Sequence, residues 1–200
     1  MNEDPIINKY EVTFFTTQNE KKAGYRHGHF LGIRQQHTYW MYKVIDDILN
    51  ENKQIKGIIE IGTAEGALSL FLGLECYERG LKPLLTYDIK KRKEPNLFKL
   101  LGIKPIIRDC FHEDSIREIT EYADNPILLV CDNEDKPKEF NTFVGLLKQN
   151  SVIAAHDWEH TIRLANIKDT VSKYAMKPLH EEEWNSPPDY IKTCFWRKTL

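Results

Sequence analysis

Short runs of β-branched and aliphatic residues alternate with longer amphipathic segments from about Gly57 onward. The runs Gly57–Gly62, Leu84–Asp88, Pro105–Arg108, Ile127–Asp132 and Val152–His156 are too short for helices and mostly too continuous for strands with one wet face. They predict strands of a parallel sheet covered by helices. Between them, helices are predicted near Ala67–Arg79, Pro95–Leu101, Ser115–Ala123, Pro137–Lys148 and Thr161–Tyr174. The segment after Pro137 shows the pattern most clearly: Phe140, Phe143, Val144 and Leu147 repeat at i, i+3, i+4 and i+7, while Pro137 suits a first helical turn, where a missing N–H costs nothing. Met41, Val44, Ile45 and Ile48 repeat the same spacing and predict a leading helix over Arg34–Asn50 that covers the sheet or the mouth of a binding site.

This alternation predicts an α/β fold: a Rossmann-like, doubly wound, mostly parallel sheet. The end of the chain differs. Met176–His180 and Tyr190–Arg197 are extended stretches around the loop Trp184–Pro188, which predicts a C-terminal antiparallel hairpin. Neither repeats nor linker-like tracts interrupt the chain. One domain over 1–200 is expected, with 1–33 an N-terminal arm or lid and 34–200 the α/β core.

At 200 residues the chain is long enough for one substantial core. Lys and Arg number 28 against 30 Asp and Glu, a formal net charge of -2, so no global field attracts nucleic acid or an anionic membrane, and a small molecule is the expected partner. Cys76, Cys110, Cys131 and Cys194 form neither a zinc spacing nor a disulfide framework and read as buried thiols of a reducing compartment. No apolar run approaches the roughly 18 residues of a membrane span, and Met1–Pro5 lacks the features of a signal peptide. A cytoplasmic location is expected, and a homo-oligomer is compatible with everything above.

Candidate chemistry begins where the first strand meets its helix. Ile59-Glu60-Ile61-Gly62-Thr63-Ala64-Glu65-Gly66 reads as a strand running through a glycine turn, the place where an α/β protein binds a nucleotide-like cofactor. A dinucleotide fingerprint aligned on Gly62 would want glycine where Ala64 stands, at the closest approach to a pyrophosphate. Glu60-x-Gly62-x-x-x-Gly66 instead sets a carboxylate beside a turn suited to a positively charged cofactor without phosphate. Asp88 ends the second strand, 26 residues after Gly62, where a carboxylate can accept both hydroxyls of a ribose; as an alternative, it opens the solvated stretch Lys90–Lys93. Asp109-Cys110-Phe111 ends the third, where Asp109 can accept from an adenine amine and Phe111 can cover the ring or belong to the core.

Two further strand ends, Val130-Cys131-Asp132-Asn133 and Ala154-Ala155-His156-Asp157, should lie side by side. Asp132 and Asp157 can then hold a divalent cation, Mg²⁺ or another, with His156 as a third ligand or as a base. Such an ion would lower the pKa of a substrate hydroxyl and aim its oxygen. His160, a helical turn farther on, and Lys136, a charge partner for a developing oxyanion, complete the catalytic candidates; each of these also has a plain reading as a surface or structural residue. Lys21–Phe30 reads as a lid or a tail, and Trp184 within Glu183–Asp189 as a substrate-facing wall or a hydrophobic plug.

From about Gly32 to Trp158 the chain resembles the class I S-adenosylmethionine (SAM)-dependent methyltransferases, especially the catechol-O-methyltransferase-like group and the cephalosporin-hydroxylase-like branch. The residues carrying the resemblance are Ile59–Thr63 with Gly66, Asp88, Asp132, and Asp157 25 residues beyond. It implies that Glu60, Gly62, Thr63, Ala64, Gly66 and Asp88 bind SAM and that Asp132 and Asp157 hold the metal; Asp109, Cys110, Phe111 and Asp132, at neighbouring strand ends, are the further cofactor-binding candidates. The chain departs from these patterns at Asp135, where the catechol type has lysine, at Trp158, where it has asparagine, and at His156, where the other branch has glutamate. The implied activity is methyl transfer to a small-molecule hydroxyl. Two alternatives stand beside it, an NAD-type oxidoreductase or epimerase and a non-catalytic SAM-fold binding protein.

Overall fold

The computed structural model describes residues 13–14, 28–92, 94–185 and 192–200. A small antiparallel sheet leads the chain: β1 (Thr13–Phe14), β2 (Gly28–Phe30) and β3 (Ile33–Gln35), with β2 between the others. Residues 21–27 of the predicted lid segment Lys21–Phe30 and the loop tip Ser186–Asp189 lie outside the described residues, while the last three residues of the lid segment form β2. Helix α1 (Tyr39–Glu51) starts five residues later than the Arg34 boundary expected. The apolar repeat begins only at Met41. Ahead of it Ile33–Gln35 pairs with β2, and Thr38 is still extended, with φ -72° and ψ 149°.

From there strand and helix alternate as the pattern predicts: β4 (Ile58–Ile61), α2 (Ala67–Arg79), β5 (Leu85–Asp88), α3 (Leu97–Leu100), β6 (Lys104–Ile107), α4 (Glu113–Tyr122), β7 (Leu128–Cys131), α5 (Lys136–Phe143), β8 (Val152–His156) and α6 (Leu164–Lys173). Helix α5 tightens to a 3₁₀ turn over Val144–Leu146, where Gly145 carries the lowest helix propensity of any non-proline residue. Helix α6 starts beyond the expected Thr161 because Arg163 is extended and its N–H is taken by the Asn166 side chain, 2.8 Å away.

The main sheet has seven strands in the order β6-β5-β4-β7-β8-β10-β9, where β9 is Lys177–Leu179 and β10 is Thr193–Arg197. Strands β4 to β8 run parallel, and β10 is antiparallel to both β8 and β9, which is the expected hairpin. Every residue of β4 and β7 is buried, as a central parallel strand requires. Pro105 lies in β6, at the sheet edge, where a missing ladder donor is tolerated.

The expected loop at Trp184 begins instead as a short helix, α7 (Glu181–Asn185). Its indole N–H donates to the Leu179 carbonyl at 2.7 Å, and the ring is buried against Trp158 and Trp196, with centroids 5.2 and 5.9 Å away. Trp184 is thus the plug of the two readings. The leading hairpin is anchored similarly. Phe30 is fully buried, stacks on Tyr42 of α1 at 5.6 Å and meets Phe71 of α2 edge-on. All four cysteines are free and buried, and among the described residues no helix is long and apolar enough to cross a membrane.

Gly62 follows β4 with φ 103°, and a Cβ there would stand 2.5 Å from the Asp132 carbonyl oxygen. Gly32, at φ 79°, faces open space. Gly62→Ala should therefore cost about 2–4 kcal/mol in urea denaturation, from strain plus overlap, and Gly32→Ala about 1–2 kcal/mol, from backbone conformation alone. Equal losses would mean that the Gly62–Asp132 approach is not a tight constraint.

Candidate functional site

The turn after β4 is fastened from both sides. Gly62 and Thr63 both donate their N–H to the Tyr87 carbonyl, at 2.8 and 3.3 Å, and Gly66 donates to the Thr63 carbonyl at 2.9 Å before starting α2 with φ 87°. Ala64, itself left-handed at φ 46°, donates to Asp88 Oδ2 at 3.0 Å, while Asp88 Oδ1 accepts from the Lys90 N–H at 2.8 Å. Asp88 thus lies across the turn, where the sequence places it, and it also holds the turn's shape. The sequence reading of Gly62 and Gly66 as room for a ligand needs an addition: a Cβ on Gly66 would come within 2.9 Å of the Phe98 ring, so both glycines also permit internal close packing.

Glu60 sits beneath this turn, fully buried. Its Oε2 accepts from Ser69 Oγ and from Thr86 Oγ1, each at 2.5 Å, and Thr86 Oγ1 is in turn 2.6 Å from Thr63 Oγ1. Since Thr86 gives its proton to Glu60, Thr63 is the donor to Thr86, and one hydroxyl chain links the buried acid to the turn. Glu60 Oε1 is buried and has no hydrogen-bond partner among the described residues. Burial pushes the Glu60 carboxyl up to about 7, against the opposing pull of the Ser69 and Thr86 hydrogen bonds.

The strand ends beside the turn gather a second group. The Asp132 N–H donates to the Ile61 carbonyl at 2.8 Å, which sets Asp132 next to Gly62. His37, in the strap between β3 and α1, places Nε2 2.8 Å from Asp132 Oδ2, and its ring meets that of His156 edge-on at 4.7 Å. Ligand atoms of His37, Asp132 and His156 all lie within 4.8 Å of one another. Asp157, which leaves β8 with φ 58°, stands beside them with Oδ1 3.6 Å from His156 Nε2. Its Oδ2 pairs with Lys136 Nζ at 3.3 Å, and Lys136, buried, also donates to the Asn133 carbonyl at 2.6 Å and lies 3.8 Å from Asp132 Oδ1.

Electrostatics divide the two imidazoles. Burial alone would lower the pKa of His37, but the Asp132 carboxylate, by charge and hydrogen bond, together with Glu60 and Asp157 outweighs it and raises the ring above the ordinary histidine value. Burial drives His156 down to about 4 despite Asp132, leaving it neutral near pH 7. Burial would raise Asp132, yet His37 and His156 together keep its carboxyl below the ordinary value.

The structure therefore brings together Glu60, Gly62, Thr63, Ala64, Gly66, Asp88, Asp132, Lys136, His156 and Asp157, and adds His37. Sequence reasoning missed His37 because it lies in the polar stretch Arg34–Thr38, and its contact with Asp132 spans 95 residues. His160 is exposed in the turn after Asp157. Asp109 is exposed and caps its own loop by accepting from the Phe111 N–H at 2.8 Å, while Cys110 is buried. Phe111 stacks on Phe143 of α5 at 5.6 Å with Lys138 Nζ 3.9 Å from its ring centre, which supports the core reading for it.

The raised carboxyl of Glu60 has a definite sign in folding. The native state binds this proton more tightly than the unfolded chain, so the contribution opposing folding is absent below about 4.5, grows between there and about 7, and is constant above. Wild type should lose up to about 3 kcal/mol over that interval relative to Glu60→Gln, measured by urea unfolding at a series of pH values. Parallel pH profiles would mean that Glu60 titrates normally.

No family model matches the sequence, and no curated protein matches it. Solved structures do match. CmcI in its Mg-SAM complex aligns with a TM-score of 0.64 at 12% identity, over 100% of this chain and 88% of that one. CalS11, a TDP-rhamnose 3'-O-methyltransferase, aligns with a TM-score of 0.55 at 12% identity, over 78% of each chain. The MycE methyltransferase in complex with Mg, SAH and mycinamycin VI aligns with a TM-score of 0.51 at 14% identity, over 80% of this chain and 46% of that one. Together with the strand order and its antiparallel C-terminal hairpin, these likenesses identify the fold as that of the class I SAM-dependent methyltransferases.

Proposed function

We propose that this protein is a SAM-dependent methyltransferase acting on a hydroxyl of a small molecule. The observation that carries the reading is a shared depression: Glu60, the Gly62–Gly66 turn, His37 and Asp132 line one hollow, so the cofactor turn and the polar cluster open onto the same space. A second hollow, on the other side of the turn, is lined by Asp88, Arg92, Pro95 and Phe98. SAM draped over the turn would set its ribose at Asp88 and its sulfonium beside the carboxylates of Glu60 and Asp132, where positive charge is favoured. The amino-acid end would then reach Arg34, which lines the first hollow.

In methyl transfer the acceptor oxygen bonds to the methyl carbon as the S–CH₃ bond breaks, giving a methyl ether and S-adenosylhomocysteine, and the hydroxyl proton must leave. His156, neutral near pH 7 and beside Asp157 at the end of β8, would take it only in the metal-free site, because its Nε2 cannot accept a proton while it holds an ion. A divalent cation in the same cluster would lower the pKa of the hydroxyl itself. Lys136 acts on this site through Asp157, and His160, exposed, is the weaker candidate of the three. The near-neutral charge of the chain, and the small molecules named for CalS11 (TDP-rhamnose) and MycE (mycinamycin VI), support a small-molecule acceptor.

Calorimetry with SAM, S-adenosylhomocysteine and NAD tests the cofactor. Both sulfur compounds should bind and NAD should not, and Asp88→Ala, with its fold checked by circular dichroism, should weaken SAM binding by about 1–3 kcal/mol. Transfer of labelled methyl groups from SAM to a panel of sugar, phenolic and aliphatic alcohols then tests the reaction. Binding of NAD without SAM would replace this reading by the oxidoreductase one, and SAM binding with no transfer to any alcohol would leave a binding protein.

A further inference from the structure

The donors that the cluster offers are unlike an oxygen-only site. Mg²⁺ takes oxygen ligands in a nearly ideal octahedron. Here two of the three convergent donors are imidazole nitrogens, from His37 and His156, and one is the Asp132 carboxylate. The second strand-end carboxylate, Asp157, is engaged by the buried Lys136 ammonium at 3.3 Å. Two imidazoles and one carboxylate form a borderline donor set, which suits first-row transition metals and leaves coordination positions open.

The surroundings support His156 as a ligand. Its Nδ1 lies 2.8 Å from Thr193 Oγ1, and Thr193 Oγ1 in turn donates to Met41 Sδ at 3.4 Å. In the tautomer where the hydroxyl proton points to sulfur, Thr193 accepts from Nδ1–H and the lone pair of the ring is on Nε2. A ligand histidine is commonly fixed by such a bond from its other nitrogen. His37 comes from the strap before α1, so an ion there would tie that strap to the ends of β7 and β8.

We propose that His37, Asp132 and His156 form a site for a first-row transition-metal dication of the Mn²⁺ to Zn²⁺ series, in preference to Mg²⁺. The proposal rests on the cluster alone and does not require the methyl-transfer reading, so it is tested with metal in the absence of SAM. Chelator-stripped full-length protein is titrated with Co²⁺, Mn²⁺ and Mg²⁺ by calorimetry, and the Mn²⁺-loaded protein is examined by pulsed electron paramagnetic resonance for nitrogen couplings. One Co²⁺ per chain should bind at least about 100-fold more tightly than Mg²⁺. Couplings from two imidazoles should appear, and His37→Gln should remove one of them and weaken Co²⁺ binding at least about tenfold. If His37→Gln does not fold, the wild-type couplings decide alone. Equal affinity for Mg²⁺ and Co²⁺, a single imidazole coupling, or no binding of any of the three ions would overturn the proposal. Absence of SAM binding would sink the methyltransferase reading and leave this one standing.

Discussion

The close approach of Gly62 to the backbone of Asp132 is the constraint on which the site depends. Two parallel strands normally end with side chains filling the gap between their exits. Here a hydrogen stands where any Cβ would lie 2.5 Å from the Asp132 carbonyl oxygen, and the Asp132 N–H is bonded to the Ile61 carbonyl. The exits of β4 and β7 are therefore locked together. The glycine turn goes to one side and the Asp132 carboxylate to the other, both lining one hollow. Asp88 fastens the turn from the neighbouring strand, and His37 meets Asp132 from the strap, so each later feature is built on that contact.

Around this junction the protein accepts costs that its core does not. Glu60 and Glu139 are fully buried, and burial raises each carboxyl to about 7; Lys136 is buried between the Asp132 and Asp157 carboxylates. Groups of this kind lose hydration and regain it only in part from their partners. Elsewhere β4, β7 and β8 are packed with Ile, Leu, Val and Ala, which supply the stability that allows a polar cluster at one end of the sheet. Concentrated departures from good packing practice, at the carboxyl ends of parallel strands, are where function is expected in such folds.

Much of this was legible in the sequence because the signals were local. Continuous apolar runs located the five parallel strands, and the stripe Phe140, Phe143, Val144, Leu147 located α5. The start of α1 was misplaced because Arg34–Thr38 has no apolar repeat to mark it, and the pairing of Ile33–Gln35 with β2 is a tertiary choice. Asp88, Asp132 and His156 were found as polar residues closing apolar strands. His37 was not, since only the folded chain brings it to Asp132. The need for glycine at position 62 was legible, but its physical reason was not: the neighbour it avoids is backbone from a strand 70 residues away. Phe111 could be assigned to core or to site only when its stacking on Phe143 was seen.

If the Gly62–Asp132 junction forms the wall of a SAM site whose methyl end faces His37 and Asp132, a crystal structure of the protein grown with S-adenosylhomocysteine should show density folded over the Gly62–Gly66 turn, with the ribose hydroxyls on Asp88 and the sulfur directed toward the Asp132 side. Density for the nucleoside at any other place on the sheet, or a ribose that makes no contact with Asp88, would overturn this arrangement.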